Sequence, residues 1–178
     1  MALLMVLAGC CANSVCNCQD ERADALTLQF RVRDKAAPAA DTTDFAPADV
    51  DTVYLLRFAL PLPVGPITSR VRRDSVALVR PLATVANPFV IRPDAPFAPG
   101  QRLNAFAYNV LVRLPRTARN RRRRLLTYAL RNIELRGEFE GTGCCTCYRN
   151  TYKALTLNGT KFDRTETDGR PVPLELTR

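Results

Sequence analysis

The feature that most constrains the fold of this chain is a recurrent alternation of apolar and polar side chains. The alternation is clearest over residues 26–33, and within residues 105–112 a strand would place Phe106, Tyr108, Val110 and Val112 together on one face. Because successive side chains of a strand point to opposite faces, a period of two predicts half-buried β-strands. Asn158-Gly159 separates two short strand-like runs, a pattern that predicts a hairpin with a two-residue turn. The local pattern therefore favours β structure.

Further strands are predicted between segments rich in proline and glycine. They cover residues 51–59, 75–80, 88–91 and 133–140, the last with Ile133, Leu135 and Phe139 facing inward. Prolines exclude residues 60–66 from a central strand. Seven to eight short strands predict an all-β domain over residues 26–165, an antiparallel β-sandwich with immunoglobulin-like or transthyretin-like topology. An up-and-down β-barrel is the alternative. Residues 166–178 are predicted to form a polar tail.

Seven cysteines lie in two clusters near the ends of the chain. The first holds Cys10, Cys11, Cys16 and Cys18, and the second holds Cys144, Cys145 and Cys147. Disulfides between the clusters are the favoured prediction, although an odd count leaves one cysteine over. A thiolate metal site is the alternative, but the spacings C-x4-C-x-C and C-C-x-C differ from the paired C-x2-C of zinc sites. Sequence alone leaves the connectivity open.

The N-terminal segment suggests what the extra cysteine does. An apolar run of about eight residues is too short to cross a bilayer and suits the apolar region of a secretory signal. Leu7-Ala8-Gly9-Cys10 resembles the lipobox of bacterial lipoproteins. The resemblance implies a signal peptide at 1–9, lipidation of Cys10, and a tether over residues 10–25 leading to the outer membrane, on its periplasmic or surface side. Six cysteines then remain as disulfide candidates: Cys11, Cys16, Cys18, Cys144, Cys145 and Cys147.

The net charge of +9 comes entirely from the second half of the chain, where Arg119, Arg121, Arg122, Arg123 and Arg124 form a cluster. The planar guanidinium group of arginine can bind a phosphate through two hydrogen bonds, so this cluster is a candidate anion-binding site for glycolipid or polysaccharide. A solvated hairpin tip is the favoured interpretation, because like charges hold such a loop open. Nucleic acid is not an expected partner, since no aromatic residues interleave the arginines.

The sequence offers no catalytic motif. Histidine is absent, which removes the commonest general base and metal ligand. We therefore expect no catalytic residue, no cofactor and no metal site. The favoured hypothesis is a lipid-anchored envelope protein that acts as a non-catalytic binding or structural module. The alternatives are an unanchored protein with a cysteine-cluster metal or redox site, and a subunit of a surface fibre or other assembly.

Overall fold

Nine β-strands form two sheets in the computed structural model, which describes residues 16, 18, 20–33, 43–62, 73–99, 102–114, 124–142, 145–166 and 170–178. One helical turn, α1 (Asp20–Ala23), precedes the strands, and 3-10 turns cover Pro47–Asp49 and Leu103–Ala105. The strands are β1 (Leu26–Phe30), β2 (Thr52–Ala59), β3 (Arg73–Val79), β4 (Phe89–Ile91), β5 (Phe106–Arg113), β6 (Leu125–Thr142), β7 (Cys145–Leu157), β8 (Thr160–Asp163) and β9 (Leu174–Leu176).

The two sheets are open and make a β-sandwich. The larger sheet has the order β3-β2-β5-β6-β7-β8 and is antiparallel throughout. The smaller sheet has the order β4-β1-β9, in which β1 and β9 are parallel. The prediction of an all-β sandwich is confirmed, and the alternative of a closed barrel is wrong because neither sheet closes on itself. The strands divide six against three, unlike the four against three of the seven-stranded immunoglobulin sandwich.

The alternating residues of both sheets meet in one core. Leu26, Leu28 and Phe30 of β1 are buried while Thr27 and Gln29 are half-buried. Facing side chains of the larger sheet complete the cluster, among them Val53, Leu55, Tyr108, Val110, Val112, Leu130 and Leu155. Full burial of each large apolar side chain stabilises the fold by about 1.5–3 kcal/mol. The period-two pattern thus selects the face of each strand that becomes the core.

The predicted hairpin turn is confirmed. Asn158 has φ 50° and Gly159 has φ 89°, left-handed values that asparagine and glycine tolerate best. The Oδ1 atom of Asn158 also accepts a hydrogen bond from the backbone N–H of Ala129 at 2.8 Å. The turn is therefore held to the neighbouring strand as well as closing β7 onto β8.

The two longest strands project beyond the sheet. The ladder between β5 and β6 ends at Leu130, and that between β7 and β8 ends at Ala154, yet β6 and β7 stay paired as far as Thr142 and Cys145. We call residues 135–142 and 145–153 the β6–β7 ribbon. The prediction that Phe139 faces inward is wrong: 69% of it is exposed. Irregularities in the pairing interrupt the alternation, and the ribbon lies beyond the strands that flank it.

The C-terminal residues also differ from the prediction. Residues 166–178 were expected to be a polar tail, but β9 pairs with β1 and places Leu174 and Leu176 in the core, 2% and 0% exposed. A three-residue strand is too short to show a period in the sequence. Its burial depends on a partner strand near the other end of the chain.

Candidate functional site

Two disulfides fasten the N-terminal cysteines to the start of β7. Cys16 is bonded to Cys145 and Cys18 to Cys147, each across 129 residues. Because both separations are equal, the order from Cys16 to Cys18 runs in the same direction as the order from Cys145 to Cys147 at the beginning of β7. Four of the six predicted disulfide cysteines are thus paired between the clusters. Cys11 and Cys144 lie outside the described residues.

The paired sulfurs also bear on the metal alternative. Ligand atoms of Cys18, Asp20 and Cys147 lie within 4.8 Å of one another. A thiolate is the form of cysteine that binds metal, and the sulfurs of Cys18 and Cys147 are bonded to each other instead. While the disulfide is intact, Asp20 is therefore the only one of these three residues that presents an anionic metal ligand. It is a covalent brace, with Asp20 accepting a 2.9 Å hydrogen bond from the backbone N–H of Tyr148.

A buried polar network continues the brace beyond Asp20. Asp24 is only 8% exposed, and its Oδ1 atom accepts hydrogen bonds from Tyr148 Oη at 3.2 Å and Asn150 Nδ2 at 2.9 Å. Burial raises the pKa of Tyr148, and the charge of Asp24 and its hydrogen bond raise it further, while Arg102 opposes them. Tyr148 therefore remains a neutral donor across the physiological range. The network holds the ribbon against the chain that follows α1.

A buried ion pair lies at the base of the ribbon. Lys153 is 2% exposed, and its Nζ atom donates to the backbone oxygen of Ala25 at 2.7 Å and to Glu166 Oε1 at 2.5 Å. Three distant parts of the chain therefore meet at one ammonium group. The sequence does not reveal this pair, because an isolated charged residue carries no local sign of burial when its partners lie elsewhere in the chain.

Two cavities open beside this base. The first, which we call the polar cleft, has a volume of about 340 Å³ and is lined by Arg22, Ala23, Tyr148, Arg149, Asn150, Glu166 and Pro171. The second, the outer groove, has a volume of about 560 Å³ and is lined by Arg22, Ala25, Thr27, Pro88, Val90, Arg92, Ala95, Pro171 and Pro173. Arg22 and Pro171 belong to both linings, so the two cavities adjoin. Their volumes lie within the usual range of ligand sites.

Most of the predicted anion site and the whole lipobox lie outside the described residues. This applies to Arg119, Arg121, Arg122 and Arg123, and to Cys10 with the residues before it. Arg124 is described and exposed, and its backbone oxygen accepts a 2.9 Å hydrogen bond from Leu114 N–H. Arg124 therefore directly precedes β6, which pairs antiparallel with β5.

Comparison with known proteins found no matching family model, no similar curated protein and no similar solved structure. Within the described residues, no helix combines the length and apolar character needed to span a bilayer. Function must therefore be argued from the residues and geometry of this chain alone.

Proposed function

We propose that this protein is a lipid-anchored component of a Gram-negative cell envelope, attached to the outer membrane through acylated Cys10, and that it acts as a non-catalytic binding or structural module. The observation that carries the proposal is the pairing of Cys16 with Cys145 and Cys18 with Cys147. Disulfides persist in oxidising compartments such as the periplasm and the cell surface. Export is what the lipobox-like segment implies.

Cysteine counting supports the same proposal. Seven cysteines less the four in these bridges leave Cys10, Cys11 and Cys144. Both bridges join one cluster to the other, so a third of the same kind would join Cys144 to Cys10 or Cys11. If Cys11 takes that place, the cysteine left over is the one in the lipobox-like sequence. Non-reducing peptide mapping should find Cys11 linked to Cys144, and a Cys10–Cys144 peptide would contradict the proposal.

The anchor has a geometric consequence. Cys10 precedes the first bridged residue, Cys16, by six residues, and an extended chain spans at most about 3.3–3.6 Å per residue. Acylation of Cys10 would therefore hold Cys16, and the end of the β6–β7 ribbon bonded to it, within about 20 Å of the bilayer surface. With Cys10 acylated, the two disulfides would hold the end of the ribbon close to the membrane.

Metabolic labelling with a clickable fatty acid tests the proposal directly. The full chain should take up label, Cys10→Ser should abolish it, and Cys11→Ser should retain it. Cys11→Ser is the matched control, because it makes the same substitution at the adjacent position. Label retained in Cys10→Ser, or no label in the full chain, would overturn the proposal. Six titratable thiols with bound zinc would instead favour the metal alternative.

A further inference from the structure

We propose that the polar cleft and the outer groove together bind one glycolipid, with an anionic sugar in the cleft and an acyl chain in the groove. The inference rests on the proposed function, because membrane attachment brings the protein to such a ligand. It names a ligand class for the binding module and a site whose described lining includes none of the Arg119–Arg124 cluster. The adjoining positions of the two cavities, and their different linings, carry the inference.

The polar cleft supplies groups that match a sugar. Glu166 directs one carboxylate oxygen to Lys153, and its other oxygen has no hydrogen-bond partner among the described residues. Arg149 uses one guanidinium nitrogen on Glu140, which leaves the others available to a ligand. Asn150 is 95% buried, and its Oδ1 atom exposes less than 1 Å² of surface, so it shapes the cleft without offering an acceptor to a ligand. The Glu166 carboxylate as acceptor beside the Arg149 guanidinium as donor suits the hydroxyl groups of a sugar.

Arg22 supplies charge complementarity where the two cavities adjoin. It lines both of them, it is exposed, and no acidic side chain that the structure describes pairs with it. A guanidinium group binds a carboxylate or a phosphate through two parallel hydrogen bonds. An anionic sugar in the cleft would therefore place its charged group at Arg22.

The outer groove has the character of an acyl-chain site. It lies on the outward face of the smaller sheet, where Thr27 of β1 is paired with Val90 of β4. Val90 is 41% exposed, and Pro88, Pro171 and Pro173 supply further apolar surface. An acyl chain laid here would remove this apolar surface from water, which favours binding.

The position of the site agrees with a membrane ligand. Arg22 follows the bridged Cys18 by four residues, so at full extension the chain between them spans about 14 Å. Cys16 itself would lie within about 20 Å of the bilayer if Cys10 is acylated. If Cys10 is acylated, the twelve residues from Cys10 to Arg22 therefore keep the site within about 40 Å of the bilayer surface.

Calorimetric titration of the full chain, held in nanodiscs of zwitterionic lipid, tests the inference with a soluble probe, octyl glucuronide. Octyl glucoside has the same chain without the charge, and methyl glucuronide has the same sugar without the chain. We expect octyl glucuronide to bind at least about tenfold more tightly than either. Equal binding of octyl phosphate would overturn the choice of a sugar headgroup.

Matched variants locate the binding. Arg22→Gln should weaken octyl glucuronide binding about tenfold, whereas Arg73→Gln, the same change on edge strand β3, should not. Val90→Glu should weaken octyl glucuronide but leave methyl glucuronide unchanged, and Val79→Glu is its control. All four side chains are exposed, and thermal unfolding would verify that each variant is folded.

Equal affinities in wild type, Arg22→Gln and Val90→Glu would overturn the glycolipid site. Fatty-acid labelling of Cys10 is scored separately on the same preparations. A labelled protein that fails to discriminate the probes would therefore refute the ligand while leaving the anchor intact. An unlabelled protein would refute the anchor itself.

Discussion

Lys153 Nζ and Glu166 Oε1 lie 2.5 Å apart inside the protein, where 3% and 14% of the two side chains are exposed. Removing one partner from a buried pair leaves an uncompensated charge, which costs about 3–5 kcal/mol. Replacing both partners with uncharged groups of similar volume is often close to neutral. The pair is therefore expected to be strongly coupled without adding much to the net stability.

Lys153→Met should lower the free energy of unfolding by about 3–5 kcal/mol, and adding Glu166→Gln should recover most of the loss. Lys161→Met is the matched control, because Lys161 faces Glu134 at 3.7 Å with both side chains well exposed. Such a surface pair contributes about 0–1 kcal/mol. Urea unfolding under non-reducing conditions gives the free energy of unfolding of the wild type, the two single lysine variants and the double variant. A double variant as unstable as Lys153→Met would contradict the coupling.

The two disulfides should act non-additively, because they close the same long loop. Removing Cys16–Cys145 alone leaves Cys18–Cys147 to hold the 129-residue separation. From loop entropy, removing one bridge should lower the free energy of unfolding by about 2 kcal/mol. Removing both also opens the long loop and should lower it by about 7 kcal/mol. The loss from the double removal should therefore exceed the sum of the single losses.

Paired serine substitutions measure this effect by denaturant unfolding. Cys11 and Cys144 should be serine in every variant, so that no third bridge holds the loop closed. If the two single losses add up to the double loss, the bridges do not share a loop constraint in the unfolded chain.

Local pattern predicted those parts of the fold that depend on neighbouring residues. Leu26, Leu28 and Phe30 are buried as their alternation indicates, and Asn158-Gly159 turns as its backbone preferences require. The cysteine clusters indicated pairing between the two ends of the chain, although the partners came only from the structure. The strand and the turn are encoded by a few neighbouring residues, and the pairing between clusters is indicated by the number and grouping of the cysteines.

The parts that were missed depend on distant contacts. Leu174 is buried because β9 pairs with β1, and Asp24 is buried because Asn150 reaches it from 126 residues away. Phe139 keeps the apolar character of a core residue but lies in the ribbon, beyond an irregularity in pairing at residues 131–134. The polar cleft was missed for the same reason, since its lining comes from three separated stretches of the chain.

Gly137 is required because the Tyr148 side chain crosses over it. A Cβ atom added at Gly137 would collide with the phenol of Tyr148 and with the backbone oxygen of Arg149, whereas one added at Gly141 would meet nothing within 4 Å. Gly137→Ala should lower the free energy of unfolding by about 1–3 kcal/mol, as overpacking does. Gly141→Ala, the matched control in the same strand, should be neutral or slightly stabilising.

Thermal unfolding compares the two alanine variants. The Gly137 variant should also disturb the Tyr148–Asp24 hydrogen bond, which would be visible as a change in the near-ultraviolet tyrosine signal. Equal unfolding temperatures for the two variants would show that Tyr148 moves aside freely.

The raised pKa of Tyr128 should make the free energy of unfolding depend on pH in the alkaline range. Burial raises its pKa to about 12, with Arg124 opposing the shift, and its hydroxyl donates to the backbone oxygen of Thr177. Between about pH 10 and 12 the unfolded chain has released this proton while the folded protein keeps it. The stabilisation is complete below about pH 10 and is lost as the pH rises through 12, at up to about 1.4 kcal/mol per pH unit.

In Tyr128→Phe, the free energy of unfolding should therefore fall less steeply as the pH rises above 10, by up to about 1.4 kcal/mol per pH unit. Between about pH 7 and 9 its dependence on pH should be unchanged. Denaturant titrations at successive pH values measure the slope. Because the chain contains five tyrosines and no tryptophan, near-ultraviolet absorbance also follows phenol ionisation directly. The variant should lack one late-ionising tyrosine, and an unchanged alkaline slope would show that Tyr128 ionises alike in both states.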